Sequence, residues 1–197
     1  MNPFIEHKEL LDKYIFKEHI PFLEQAWKEP WRVYHGMNHL QDILEKLKES
    51  AHKVHPYDYD SLCLAGFFHD CYYNPRDNKN NEDESIKRFA KSFKPSKHRY
   101  IRNISNNTSE MILATKYRKR PQDKLVRIFW EADNAGFYNG YDWLLESERW
   151  IRKEYVHVPK KLYKKGRIDF LKTNIGLFDS KVDVDIEKLI EHVNATY

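Results

Sequence analysis

The chain is predicted to be all-α, a single-domain helical bundle spanning residues 1–197, and three observations carry that expectation. Its 197 residues include only 6 Gly and 8 Pro, so long stretches run without a breaker, which suits helices better than a sandwich of short strands. Apolar residues recur at three- and four-residue steps, the period of a helix with one buried face. Hydrophobic residues make up 41%, aromatic ones 15% and charged ones 32%, a composition that argues against disorder and supplies one substantial core.

The elements follow in order. Leu10, Leu11, Tyr14, Ile15, Phe22, Leu23 and Trp27 keep helical spacing, and Pro21 splits the run into two helices assigned to packing. After a break at Glu29–Arg32, His35, His39, Ile43 and Leu47 step by four residues along one stripe, which predicts a helix that carries both histidines on one face. Residues 53–60 read as a loop, with Asp60 or Ser61 capping the next helix. That helix carries Leu62, Leu64, Ala65, Phe67 and Phe68, is apolar on nearly every side and should be central. A polar, breaker-rich loop over 74–81 precedes a helix opened by Asn81 as N-cap, with Glu82, Asp83 and Glu84 in its first turn. Asn106-Asn107-Thr108 reads as a turn, with Thr108 or Ser109 starting a helix that ends in the basic cluster 116–120, and Pro121 starts another that runs to Asp133. The aromatics of 134–141 form a turn suited either to walling a pocket or to lid packing. Helices from about 142–154, 160–173 and 185–193 complete the bundle.

Two polar positions are misplaced for ordinary packing. His69 and Asp70 stand side by side at the end of the apolar run 62–68, and Asp133 follows the apolar run Ile128-Phe129-Trp130. Burying an unpaired polar group costs roughly 2–7 kcal/mol and a charge more, and a divalent ion would compensate both residues of the doublet. One His-Asp pair cannot hold a catalytic metal by itself, which makes His39 and Asp133 the candidate further ligands. A single histidine on such a stripe is more often an ordinary core or surface residue; the order of several motifs is what singles these out.

That order, Tyr34-His35-x-x-x-His39, Phe68-His69-Asp70-x-x-Tyr73, Asn81-Glu82-x-x-Ser85 and Ala132-Asp133, resembles the HD superfamily of metal-dependent phosphohydrolases, in particular its small stand-alone members. The Tyr-His-x-x-x-His part is also similar to the cyclic-nucleotide phosphodiesterases. The resemblance covers about residues 30–140. It implies a helical HD-type domain whose one divalent transition metal (Mn, Fe, Co, Ni or Zn, with Mg as an option) is held by His39, His69, Asp70 and Asp133. It further implies hydrolysis of a phosphoester or phosphoanhydride through a metal-activated water, with His35, Glu82 and Asp70 as catalytic groups. Tyr73, Asn81 and Ser85 would then line the substrate, and Arg32 and Lys116 are the candidate phosphate-binding cations. Members with two metals insert further histidines after the doublet; residues 114–119 offer none, which favours a single ion.

The expected partner is a small phosphorylated metabolite, a nucleotide first, with room for a homodimer. A net charge of +4 and a pI near 8.8 favour anionic substrates and fall short of a nucleic-acid-binding protein. Cys63 and Cys71, two helical turns apart, read as reduced core residues. No apolar segment approaches a membrane span and the first residues lack a signal peptide's apolar stretch, so the cytoplasm is the expected compartment. Three rival readings fit the same residues: a metal- or nucleotide-binding regulatory module with little turnover, an RNA-contacting protein that uses basic segments such as 160–167, and a plain bundle whose histidines are coincidental.

Overall fold

The computed structural model describes residues 2–77, 79–117 and 119–197, and among them every regular element longer than a single bridge is helical. The fold is all-α. The first helices are α1 (Pro3–Glu6), α2 (Lys8–Tyr14) and α3 (Ile20–Trp27), with a 3₁₀ turn at Lys17–His19 between the last two. Pro21 therefore sits in the first turn of α3, where its missing N–H costs nothing, and the break falls before it. Next come α4 (Met37–Lys48), α5 (Pro56–Phe68), α6 (Asn81–Ser92), α7 (Arg99–Lys116) and α8 (Lys124–Asp133). The chain ends in α9 (Tyr141–Glu154), α10 (Lys160–Lys172) and α11 (Ser180–Thr196).

These helices form two compact units, one built from Met1–Tyr117 with Pro121–Asp133 and the other chiefly from Asn134–Tyr197. In the first, α5 is the central element, packed by α4, α6, α7 and α8. Every residue from Ser61 to Phe68 is buried, so this part of the helix has no solvent face, and only the first turn and a half, from Pro56 to Asp60, reaches water. Gly66 leaves room for α4: a Cβ there would stand 3.2 Å from Leu44 Cδ2. The core continues through Leu11, Tyr14, Leu23 and Trp27 on one side and Ile43, Leu47, Met111 and Phe129 on the other.

In the second unit, α9, α10 and α11 pack around Leu144, Leu171, Val182, Ile186, Leu189 and Val193. The fully buried Glu148 is compensated within it, accepting from Tyr163 Oη at 2.7 Å and Arg167 Nε at 2.6 Å. Phe137 and Tyr138 pack on Phe178 inside this unit.

Several local expectations are corrected. α5 begins four residues before Asp60, capped by His55, whose Nδ1 accepts from Tyr57 N at 3.3 Å, with Pro56 at its first position. The cap of α8 is Asp123 and not Pro121: its Oδ1 accepts from Leu125 N at 2.8 Å and Val126 N at 3.0 Å. α7 runs straight through Asn106-Asn107-Thr108, because Ile104, Thr108, Met111 and Ile112 form its buried stripe and Thr108 Oγ1 donates to the Ser61 carbonyl at 3.3 Å. The expected loop 74–81 and the basic cluster 116–120 each contain a position, Asn78 and Arg118, outside the described residues.

Candidate metal centre

Three helix ends meet in the first unit. His39 lies in the first turn of α4, His69 caps the C-terminus of α5 with Asp70 directly after it, and Asp133 is the last residue of α8. The ligand atoms of His39, His69 and Asp70 all lie within 4.8 Å of one another. Asp133 Oδ1 stands 3.2 Å from His39 Nε2 and 3.5 Å from His69 Nε2, and the two Nε2 atoms are 3.4 Å apart. Asp70 Oδ2 is 3.5 Å from His69 Nε2. The four residues expected as ligands are thus brought together, from three separate elements.

The orientation of His69 follows from its position. Its Nδ1 is 2.9 Å from the Gly66 carbonyl, which can only accept, so Nδ1 carries a proton and Nε2 is the ring nitrogen turned toward the cluster. Trp27 and Phe129 flank the ring at 5.5 and 5.8 Å between centroids, and Trp27 Nε1 donates to the Phe67 carbonyl at 2.9 Å. A histidine that binds metal through one nitrogen and is oriented through the other has this pattern.

The charges around these atoms are unevenly distributed. Burial opposes a charged His39 ring, but the carboxylates around it, Asp133 foremost with Asp70 and Asp42, together outweigh that and raise its pKa. Burial likewise works against the Asp133 carboxylate, and His39 and His69 more than offset it, leaving its pKa below the ordinary value. Glu82, in the first turn of α6, has Oε2 enclosed without a hydrogen-bond partner among the described residues; burial, joined by the neighbouring Asp70 charge, raises its pKa.

The donor set fits a divalent cation. Metal–ligand bonds of about 2.1 Å place neighbouring ligand atoms roughly 3.0 Å apart in octahedral and roughly 3.4 Å apart in tetrahedral geometry. Of the separations among His39, His69 and Asp133, 3.2 Å lies inside that range, 3.4 Å at its upper end and 3.5 Å just beyond it. Two imidazoles with carboxylates suit Mn²⁺, Fe²⁺, Co²⁺, Ni²⁺ or Zn²⁺.

The remaining expected residues divide by what they touch. His35 is not on a helix with His39; it lies in the turn before α4, whose N-cap is Gly36, because a Cβ at Gly36 would come 2.9 Å from the Arg32 carbonyl of that tight turn. Its ring still reaches the site's edge, 5.9 Å from that of His39, and stacks on Tyr73 at 4.2 Å. Tyr73 is buried between His35 and Trp31 and thereby positions His35. Arg32, expected to meet phosphate, is enclosed instead: its side chain is 1% exposed and engages Glu29 and the Asp70 and His35 carbonyls. Lys116 pairs with Asp83 at 2.5 Å and remains partly exposed.

Asn81 and Ser85, expected at the substrate, fasten the segment after the doublet. Ser85 Oγ accepts from Tyr72 N at 3.1 Å and donates to Tyr72 O at 3.2 Å, while Asn81 Oδ1 accepts from Asn74 N at 2.9 Å. Asn81 is the first residue of α6 and not its cap, a position taken by Asn80. Sequence reasoning missed Gly66, Trp27 and Arg88, which donates to the Cys71 carbonyl at 3.0 Å. A signal existed for Gly66 alone, since it precedes His69 by three residues on the same helix. Comparisons with protein-family models, curated proteins and solved structures return no match to this chain.

Proposed function

We propose that the chain is a metal-dependent phosphohydrolase of the HD type, acting on a phosphoester or phosphoanhydride of a small metabolite such as a nucleotide. The observation that carries the reading is the convergence of His39, His69, Asp70 and Asp133 from three helix ends onto one small volume, with His69 locked as an Nε2 donor. A cation held there supplies a Lewis acid for a phosphoryl oxygen and makes water acidic near neutral pH.

The chain's own groups have the following work. His39 and His69 present nitrogen donors, and Asp70 and Asp133 balance the charge. Glu82, whose Oε2 has no hydrogen-bond partner among the described residues and whose carboxyl feels the Asp70 charge, takes a proton from the attacking water in this reading. His35, held by Tyr73 at the cluster's edge, protonates the leaving oxygen. Lys116, once released from Asp83, meets a phosphate oxygen as a point charge.

The test is phosphate release from nucleoside mono-, di- and cyclic phosphates and aryl phosphates, with Mn²⁺ or Co²⁺ added, alongside metal analysis of protein purified without chelators. About one ion per chain and turnover abolished by Asp70→Ala are expected. Bound ion without turnover on any substrate of the panel would favour a regulatory module, and unchanged metal content in Asp70→Ala would overturn the site.

A further inference from the structure

We infer that Arg32 is a strut that fixes the spacing between the two chain segments bearing metal ligands, a positioning residue for the cation and not a contact for substrate phosphate. The inference rests on the metal-centre reading above and specifies how that site is held ready.

The difficulty it answers is local. Asp70 lies beyond the last turn of α5, and His35 lies before the first turn of α4, so the carbonyls of both fall outside the helical ladders and need a donor from elsewhere. One Arg32 η nitrogen donates to the carbonyls of both: 2.6 Å to Asp70 O and 3.4 Å to His35 O. Its Nε donates to Glu29 Oε2 at 2.8 Å, and the Arg32 backbone N–H closes the same turn on the Glu29 carbonyl at 3.0 Å. The guanidinium carbon stands 5.8, 5.3 and 5.7 Å from the ring centroids of Trp27, Trp31 and Tyr73, a cage that fixes the plane of the fork.

Three consequences follow from this arrangement. A cation just past the C-terminus of α5 faces the negative end of that helix and meets a carbonyl the helix leaves unsatisfied. Fixing the Asp70 carbonyl fixes the direction in which its carboxylate leaves the backbone. Arg88 and Ser85 tie the following residues to α6, whereas Arg32 ties Asp70 to the segment that leads into His39. What the planar fork adds is a second nitrogen: Nε is anchored on Glu29 while one η nitrogen meets both carbonyls, and a lysine ammonium at the end of a shorter stem has no second nitrogen to make that anchor.

The experiment titrates Co²⁺ into the full chain by calorimetry and follows the visible absorption of the bound ion, comparing wild type with Arg32→Met and Arg32→Lys. Arg32→Met is expected to bind Co²⁺ roughly 10–100-fold more weakly, the usual consequence of losing an outer partner of a ligand, with a changed absorption band and unchanged helix content. Arg32→Lys falls between the two. Wild-type affinity and an unchanged band in Arg32→Met would overturn the proposal. So would unaltered Co²⁺ binding with a raised KM for a phosphoester, which would return Arg32 to the substrate. If Arg32→Met fails to fold, wild-type affinity in Arg32→Lys overturns the proposal by itself. Wild-type protein that binds no Co²⁺ refutes the metal centre, and the strut with it.

Discussion

His69 illustrates how one residue's chemistry is set by its neighbours: a carbonyl three residues back removes the choice of tautomer, and two aromatic rings remove the choice of plane. His7 shows the opposite case. Its Nε2 is buried without a hydrogen-bond partner among the described residues, and its ring meets the edge of Phe67 at 5.7 Å. Burial therefore lowers its pKa below the ordinary value of 6.5, against a raising contribution from Glu6. The unfolded ring takes up its proton first as the solution is acidified, so stability is lost as pH falls from about 6.5 toward the lower folded value, and this group adds no further loss below that. Urea midpoints measured between pH 7.5 and 5 should fall more steeply for wild type than for His7→Leu; parallel curves would contradict the assignment. At this scale the sequence was readable where a polar residue ended an apolar run, as at His69, Asp70 and Asp133. It was opaque at Arg32, because a cation next to a tryptophan reads equally as a ligand for anions or as a caged side chain, and only the carbonyls it meets decide.

Among the elements, α5 was the most legible, since an unbroken apolar run can only be central. α7 was the least. Asn106-Asn107-Thr108 has the composition of a turn, yet Thr108 faces the Ser61 carbonyl and Ile104, Met111 and Ile112 extend one buried stripe across it, so packing overrides local preference. The exposed Asn106 separates the two descriptions. In a continuous helix Asn106→Ala should stabilise by roughly 0.5 kcal/mol and Asn106→Pro should cost about 3 kcal/mol. Chemical denaturation of the two variants would show it, and a neutral proline would mean the turn exists. The start of α4 was also misjudged: four-residue spacing from His35 continues the stripe on paper, but the close approach at Gly36 starts the helix only after it.

For the molecule as a whole, a ligand that binds only the folded state stabilises it by mass action. Co²⁺ at a hundred times its dissociation constant contributes about 2.7 kcal/mol, which raises the melting temperature of a protein this size by roughly 5–10 °C. Hydrogen exchange should slow on metal addition in α4, α5 and α8, while Asn134–Tyr197, which supplies none of the four ligands, keeps its rates. Slowing confined to the latter segment would place the ion elsewhere. No helix among the described residues is long and apolar enough to cross a membrane. The all-helical architecture carries one last implication through α5, which is enclosed on every side from Ser61 onward and ends in the doublet. Adding or deleting one residue between Pro56 and Phe68 would swing His69 by about 100° and shift it about 1.5 Å, aiming its lone pair at a wall. That stretch therefore works as a ruler: its side chains can be exchanged for others of similar bulk, but its length is the one quantity that cannot drift.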